Sequence, residues 1–252
     1  MKSLNFITIA LLLFFFLSGF SQERKIKKKN STNFIEVYSV DKKTKRKDGV
    51  YLKLNKLTND TLISGNFSNN TKSGLWRYFD NSKNVYLTYN YDNQHLNQIS
   101  PEISASDSFY IKKDSIFTLE KVDSPPIYLG YKDEFGITMN QNIVLPVEII
   151  ENKIIGFCVS TFVVDKQGKM KDIRIEKSLN KKFNQNIIQT LKTINGDWIP
   201  AKLNGKPVES KTYLFFDVSQ FEKKRTFKEK PYLQVFYFSF LGITKTIRMR
   251  AF

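Results

Sequence analysis

Apolar and polar residues change rhythm twice along the chain. Residues 6–20 form one apolar stretch, FITIALLLFFFLSGF. From Asn33 to about Ser100, short aromatic and β-branched runs alternate with Asn, Asp and Gly at turn positions, which predicts strands at 49–54, 65–68, 74–79 and 85–91. Beyond Pro125-Pro126 the spacing lengthens. Phe135, Met139 and Ile143 fall at i, i+4 and i+8, one face of a helix that stops before Pro146. Residues 154–164 alternate as a strand with Cys158, Ser160, Phe162 and Val164 on one face, and Asp165-Lys-Gln-Gly168 makes a tight turn. A returning strand, 169–177, presents Met170, Ile173 and Ile175, and Phe183, Ile187, Leu191 and Ile194 trace a second helix. Trp198 leads through the Asn204-Gly205 turn to a last strand at 208–218. The order helix, hairpin, helix, strand predicts an α+β fold: a C-terminal three-stranded antiparallel sheet with two helices on one face, preceded by an N-terminal β-hairpin or meander region.

The first apolar stretch is shorter than the roughly 20 residues of a membrane-spanning helix and ends in small residues at Ser18, Gly19 and Ser21. It reads as a signal peptide, residues 1–21, so the mature protein begins at Gln22, is exported and resides in the periplasm. Were the stretch retained, it would serve as an inner-membrane anchor. The expected organisation continues with a basic linker at 22–32, the β region at 33–100, a linker at 101–124 with one strand-like run at Phe109-Tyr-Ile111, an α+β domain at 125–221 and a basic, aromatic tail at 222–252. The aromatic run 232–243 within that tail is read as an additional strand or a packed arm.

Composition narrows the chemistry. With one cysteine, Cys158, and one histidine, His95, among 252 residues, a disulfide within the chain, a Cys/His zinc site and a Ser-His-Asp or Cys-His hydrolase have too few of the needed groups. No enzyme activity, metal, cofactor or small-molecule substrate is expected. Cys158 reads as a small buried hydrophobe, His95 as a solvated loop residue, Asp165 as a turn former and Trp198 as packing beneath the sheet. Lys and Arg number 40 against 24 Asp and Glu, a formal charge of +16. No recognition-helix or RNA-binding sheet motif accompanies that charge, so nucleic acid is not an expected partner. Much of the excess lies in two clusters, Arg24, Lys25, Lys27, Lys28 and Lys29, and then Lys42, Lys43, Lys45, Arg46 and Lys47. These read either as solvated linker or as an attraction for an anionic envelope surface.

Two stretches carry resemblances. Residues 65–80, with Gly65, Gly74, Trp76 and Phe79, resemble one repeat of the MORN type, a hairpin whose second strand begins Gly-x-Trp; an ordinary meander is the alternative reading. Residues 125–218 resemble the TonB C-terminal domain family through Gly156 and the apolar strand after it, Val164-Asp165-Lys-Gln-Gly168, Lys177-Ser178, Trp198-x-Pro200 and Asn204-Gly-Lys-Pro-Val208 followed by an aromatic strand. A MORN-like segment joined to such a domain is similar to exported Bacteroidetes-type proteins. The second resemblance implies periplasmic residence and binding of an outer-membrane receptor or other envelope protein by β-strand addition, in energy-coupled transport for the best-known members. It also implies that the last strand is the partner-binding edge, with Glu209, Lys211, Thr212, Tyr213, Leu214, Phe215 and Phe216. Energy transducers of this kind use a retained anchor and a long Pro-rich spacer, whereas this chain has 7 prolines and no Pro run. A non-transducing structural or scaffold role in the envelope stands as the alternative.

Overall fold

The computed structural model describes residues 23–100, 108–132, 134–194, 196–219, 232–239 and 246–248. The signal-peptide reading of 1–21 lies outside them. The chain divides into two compact units, one drawn from residues 1–77 and 88–96, the other from 78–87 and 97–252.

Seven strands follow one another in chain order across a single sheet: β1 (Arg24–Asn30), β2 (Phe34–Asp41), β3 (Lys47–Asn55), β4 (Thr61–Ser68), β5 (Thr71–Phe79), β6 (Val85–Asn90) and β7 (His95–Ile99). Turn chemistry explains this order. Asp41, Asn55, Asp80 and Asn90 each stand at a strand end and accept backbone N–H groups from two to four residues ahead with a side-chain oxygen, which folds the chain back at each place. Between β4 and β5 the two-residue loop Asn69-Asn70 takes φ of 50° and 70°, the positive pair that a tight hairpin turn requires.

In the first unit, Trp76 is buried and lies over Gly65, where a Cβ would come within 2.3 Å of the indole ring. Glycine at 65 therefore makes room for the ring. Tyr51 stacks on that indole at 5.3 Å, Phe67 meets it edge-on at 5.3 Å, and its Nε1 donates to the carbonyls of Asn66 and Ser73.

Three observations correct the sequence reading of this part and the next. The basic linker expected at 22–32 contains β1, whose seven residues are all exposed, so water on both faces removes the alternation that reveals a strand. His95 opens β7 and is exposed. The linker expected at 101–124 contains the hairpin of β8 (Ser108–Lys113) and β9 (Ile116–Lys121).

The second unit is α+β. Its elements continue with β10 (Ile127–Tyr128), α1 (Glu134–Asn142), α2 (Val147–Glu151), β11 (Gly156–Val164), β12 (Met170–Lys177), α3 (Lys181–Thr193), β13 (Trp198–Ile199), β14 (Ala201–Leu203), β15 (Lys206–Val208), β16 (Ser210–Ser219), β17 (Tyr232–Ser239) and β18 (Thr246–Arg248). Its sheet has seven strands where three were expected: β12, β11, β16, β17 and β18 in order, with β8 also on β16 and β9 on β8. The predicted core of the sheet, β12-β11-β16, is present; the added strands come from the expected linker and tail, whose pairing partners are distant in sequence. Among the described residues three short helices stand where two were expected, the additional one being α2, which begins directly after Pro146.

The helices cover one sheet face. Phe135, Met139, Ile143 and Ile149 from α1, α2 and the segment joining them, and Phe183, Ile187 and Leu191 from α3, pack with Cys158, Phe162, Val164, Leu214, Phe216 and Val218 of the sheet. Asn180 caps α3 by accepting the Phe183 N–H at 3.1 Å. Gly168, with φ of 74°, lies so close to Trp198 that a Cβ would meet its carbonyl oxygen at 1.9 Å, and its own carbonyl accepts the Trp198 N–H at 3.0 Å. That contact ties the β11–β12 turn to β13.

Candidate functional site

Every residue of the predicted partner-binding set lies on β16 or immediately before it. Against β11 the pairing is antiparallel and continuous, from Gly156 opposite Val218 to Val164 opposite Ser210. Directly opposed residues share a face. Thr212, Leu214 and Phe216 accordingly stand with Phe162, Ser160 and Cys158 on the helix-covered face, while Lys211, Tyr213 and Phe215 stand with Val163, Thr161 and Val159 on the other.

The second side of β16 is occupied in two portions. β8 takes Ser210 and Lys211, opposite Ile111 and Tyr110, and β17 takes Tyr213 through Ser219 in parallel. The parallel register breaks once, since Tyr213 faces Tyr232 while Leu214 faces Gln234. β16 is thus an interior strand in this structure, and the edge expected from the sequence carries the chain's own segments. The Phe216 and Phe236 rings stack at 5.0 Å and 8°, and Phe238 meets Phe183 edge-on at 5.7 Å.

Side chains on the uncovered face form their own contacts. Phe215 stacks on Phe157 at 4.8 Å, Tyr213 lies 5.2 Å from the Tyr110 ring, and Lys211 sits 4.9 Å over Phe117 and 3.6 Å from the Glu176 carboxylate. Glu209, just ahead of β16, accepts from Lys171 of β12 at 2.5 Å and pairs with Lys112 of β8 at 3.3 Å. The hydrogen bond from Lys171, with that from Lys112 and against the opposing effect of burial, holds the Glu209 carboxyl below its ordinary range. Glu209 therefore links β12, beyond β11, to β8 on the opposite side of β16.

Cys158 is fully buried, its Sγ 3.5 Å from Asn184 Oδ1, and burial pushes the thiol up to about 12, far from a reactive thiolate. Trp198 is buried among Tyr128, Phe135 and Phe162. Among the described residues, no group of three His, Cys, Asp or Glu side chains is placed to hold a metal ion, and no helix is long and apolar enough to cross a membrane. What β16 does offer is a backbone that accepts an extended segment beside β11. Sequence reasoning had two signals for the segments that fill this place, the Phe109-Tyr-Ile111 run and the aromatic run from Tyr232.

Residues 141–217 match the family model for the C-terminal region of the Gram-negative bacterial TonB protein. The match spans less than a third of the 252 residues. It runs from the end of α1 to two residues short of the end of β16 and encloses α2, β11, β12 and α3. Within it the sheet is β12-β11-β16, and both strands on the second side of β16, β8 and β17, come from outside. Comparison with curated proteins and with solved structures gives no match.

Proposed function

We propose that this chain is a TonB-like protein of the cell envelope, exported to the periplasm, whose C-terminal unit binds an outer-membrane receptor or other envelope protein by strand addition to β16. The observation that carries the reading is the parallel pairing of β17 along Tyr213 to Ser219. It supports the reading because an extended segment already lies beside a strand of the TonB-matching region, and that segment is the one an incoming partner would replace. Backbone N–H and C=O groups give such a contact its affinity, and side chains at alternate positions give its specificity. The role is binding, not catalysis.

Energy-coupled transport is the further step for a chain anchored through residues 6–20. The second reading is a non-transducing scaffold, favoured by the lack of a Pro run in a chain with 7 prolines. There the seven-stranded meander, with its MORN-like Gly65 and Trp76, would hold a second envelope partner.

A photoreactive residue at Tyr213, introduced into the full chain and into its Phe236→Ala/Phe238→Ala variant, tests the strand-addition mechanism in envelope extracts. The expected result is one discrete adduct that strengthens in the variant and is absent with the same probe at exposed Lys166. No adduct from Tyr213 in either form, or equal adducts from both positions, would overturn strand addition at β16.

A further inference from the structure

Two basic clusters separated by a dozen residues in sequence meet at one corner of the first sheet. β1 runs antiparallel to β2, with Arg24 opposite Asp41, and the N–H of Lys42 donates to the Glu23 carbonyl at 2.8 Å. The β2–β3 turn, with Lys43, Lys45 and Arg46, therefore sits beside the start of β1. Residues 23–53 hold eleven Lys and Arg against four Asp and Glu, a net +7 within 31 residues.

Acidic neighbours account for only part of this charge. Arg24 pairs with Asp48 at 2.7 Å and Lys42 with Glu23 at 2.9 Å. Among the described residues, Lys25, Lys27, Lys28 and Lys29 make no ion pair, and each is exposed. Alternation along the strand places Lys25, Lys27 and Lys29 on one face and Arg24 and Lys28 on the other.

Lysines on an edge strand also deter edge-to-edge association of sheets. That role accounts for the charge on β1, but not for the second cluster at the adjoining turn or for the apolar residues beside both. Ile26, 62% exposed, lies opposite Ser39, whose hydroxyl contacts the carbonyls of Asp48 and Val50. The register puts Ile26 and Val50, itself 54% exposed, on the same face, with Arg24 and Lys28 on either side of Ile26.

We infer that β1 and the β2–β3 turn form a docking edge for a bilayer surface rich in anionic phospholipid headgroups. The cations on both faces of this outermost strand meet the phosphates edge-on, and Ile26 beside them enters the boundary between headgroups and acyl chains. A soluble polyanion matches the charge but has no place for an exposed aliphatic side chain set among the cations, so the lipid surface is the better fit. The inference is independent of β16.

Hydrogen exchange on the full chain tests it, because the apolar run 6–20 contributes equally to every variant and lies outside the peptides read. The chain is mixed with vesicles of phosphatidylcholine alone or with one-third phosphatidylglycerol. Anionic vesicles should slow the amides of 24–30 and 42–47 at least about tenfold at low salt, and 0.5 M salt should abolish the effect, as expected for surface charge. Each cation contributes about fivefold to surface affinity, so Lys25→Gln/Lys27→Gln/Lys28→Gln/Lys29→Gln should weaken the association several-hundred-fold and remove the protection. Lys121→Gln/Lys166→Gln/Lys181→Gln/Lys206→Gln, with the same charge change elsewhere, should retain it. Unchanged exchange within β11 establishes that each variant is folded. Equal exchange on neutral and anionic vesicles, equal loss in both quadruple variants, or the same slowing by soluble polyphosphate would overturn the inference, the last by making the ligand a free polyanion.

Discussion

Removing the aromatic anchors of β17 should release that strand while leaving β11 paired to β16. Phe236 and Phe238 are 1% and 4% exposed, and they pack on Phe216 and Phe183. Burying one phenylalanine side chain is worth about 1.5–3 kcal/mol by transfer, and an aromatic pair adds about 0.5–1.5 kcal/mol. Two such residues give about 4–9 kcal/mol. The lower end is the better guide, because a detached tail still shields some of its surface and neighbouring positions on one strand do not add fully. Phe236→Ala/Phe238→Ala should therefore shift the closed-to-open equilibrium of β17 by about 4 kcal/mol, nearly a thousandfold. Native-state hydrogen exchange reads this directly, since alternate amides of β16 point toward β11 and toward β17. In the variant, the amides facing β17 should exchange at least about a hundredfold faster than those facing β11. If both sets open together at one rate, β17 belongs to the same cooperative core as β11 and is not an exchangeable occupant.

Phe162→Ala should cost about 3–5 kcal/mol in denaturant unfolding, because Phe162 is fully buried between Phe135 and Trp198; a loss below about 1 kcal/mol would show the inward face to be misassigned. Gly65→Ala should destabilise the first unit by about 1–3 kcal/mol in thermal unfolding, since its Cβ would meet the Trp76 ring at 2.3 Å, and an unchanged transition would show that the ring yields freely. The Glu209 carboxyl is held below its unfolded-state value, so its contribution is present above about pH 4.3 and is lost as pH falls through the lower folded value. The stability gap between the wild type and Glu209→Gln should consequently close in acid, and a gap constant from pH 7 to 3 would show that the links to Lys171 and Lys112 contribute nothing.

The helices visible in the sequence were those whose burial is one-sided. Phe135, Met139 and Ile143, like Phe183, Ile187 and Leu191, recur at helical spacing because one side of each helix meets the sheet. β11 was legible differently: it is buried throughout 158–164 and shows as a short β-branched, apolar run ended by the Asp165-Gly168 turn. β1 gave no such signal because both its faces are in water, and Lys stands at four of its seven positions. The hairpin of β8 and β9 showed only its Phe109-Tyr-Ile111 run, and its place in the fold was hidden for a different reason. Its contact with β16 joins Tyr110 and Ile111 to Lys211 and Ser210, a hundred residues away, and no local pattern records which strand a backbone will meet. The same limit applied to the candidate site. Its residues could be placed on one strand after the Asn204-Gly205 turn, and the family resemblance implied an edge, but the occupancy of that strand's second side depends on long-range pairing by β8 and β17.

Occupancy of β16 by β17 sets a quantitative relation between closure and partner affinity. On the proposed strand addition, an incoming strand would compete with β17 and not with β11, because β11 has the longer antiparallel register and sets Cys158, Phe162 and Val164 in the helix-covered core, whereas β17 makes a shorter parallel register with one break. For such a protein the apparent dissociation constant is the intrinsic one divided by the open fraction. If closure amounts to about 3 kcal/mol, roughly one molecule in 150 is open, and a segment with an intrinsic Kd of about 1 μM is measured near 150 μM. Phe236→Ala/Phe238→Ala removes that penalty, so it should tighten binding about a hundredfold, up to the intrinsic value and no further. The gain in affinity must equal the rise in the open fraction measured by exchange on the same variant, because both report one equilibrium. A partner whose affinity is unchanged by the variant, while the exchange gap widens, binds somewhere other than the second side of β16.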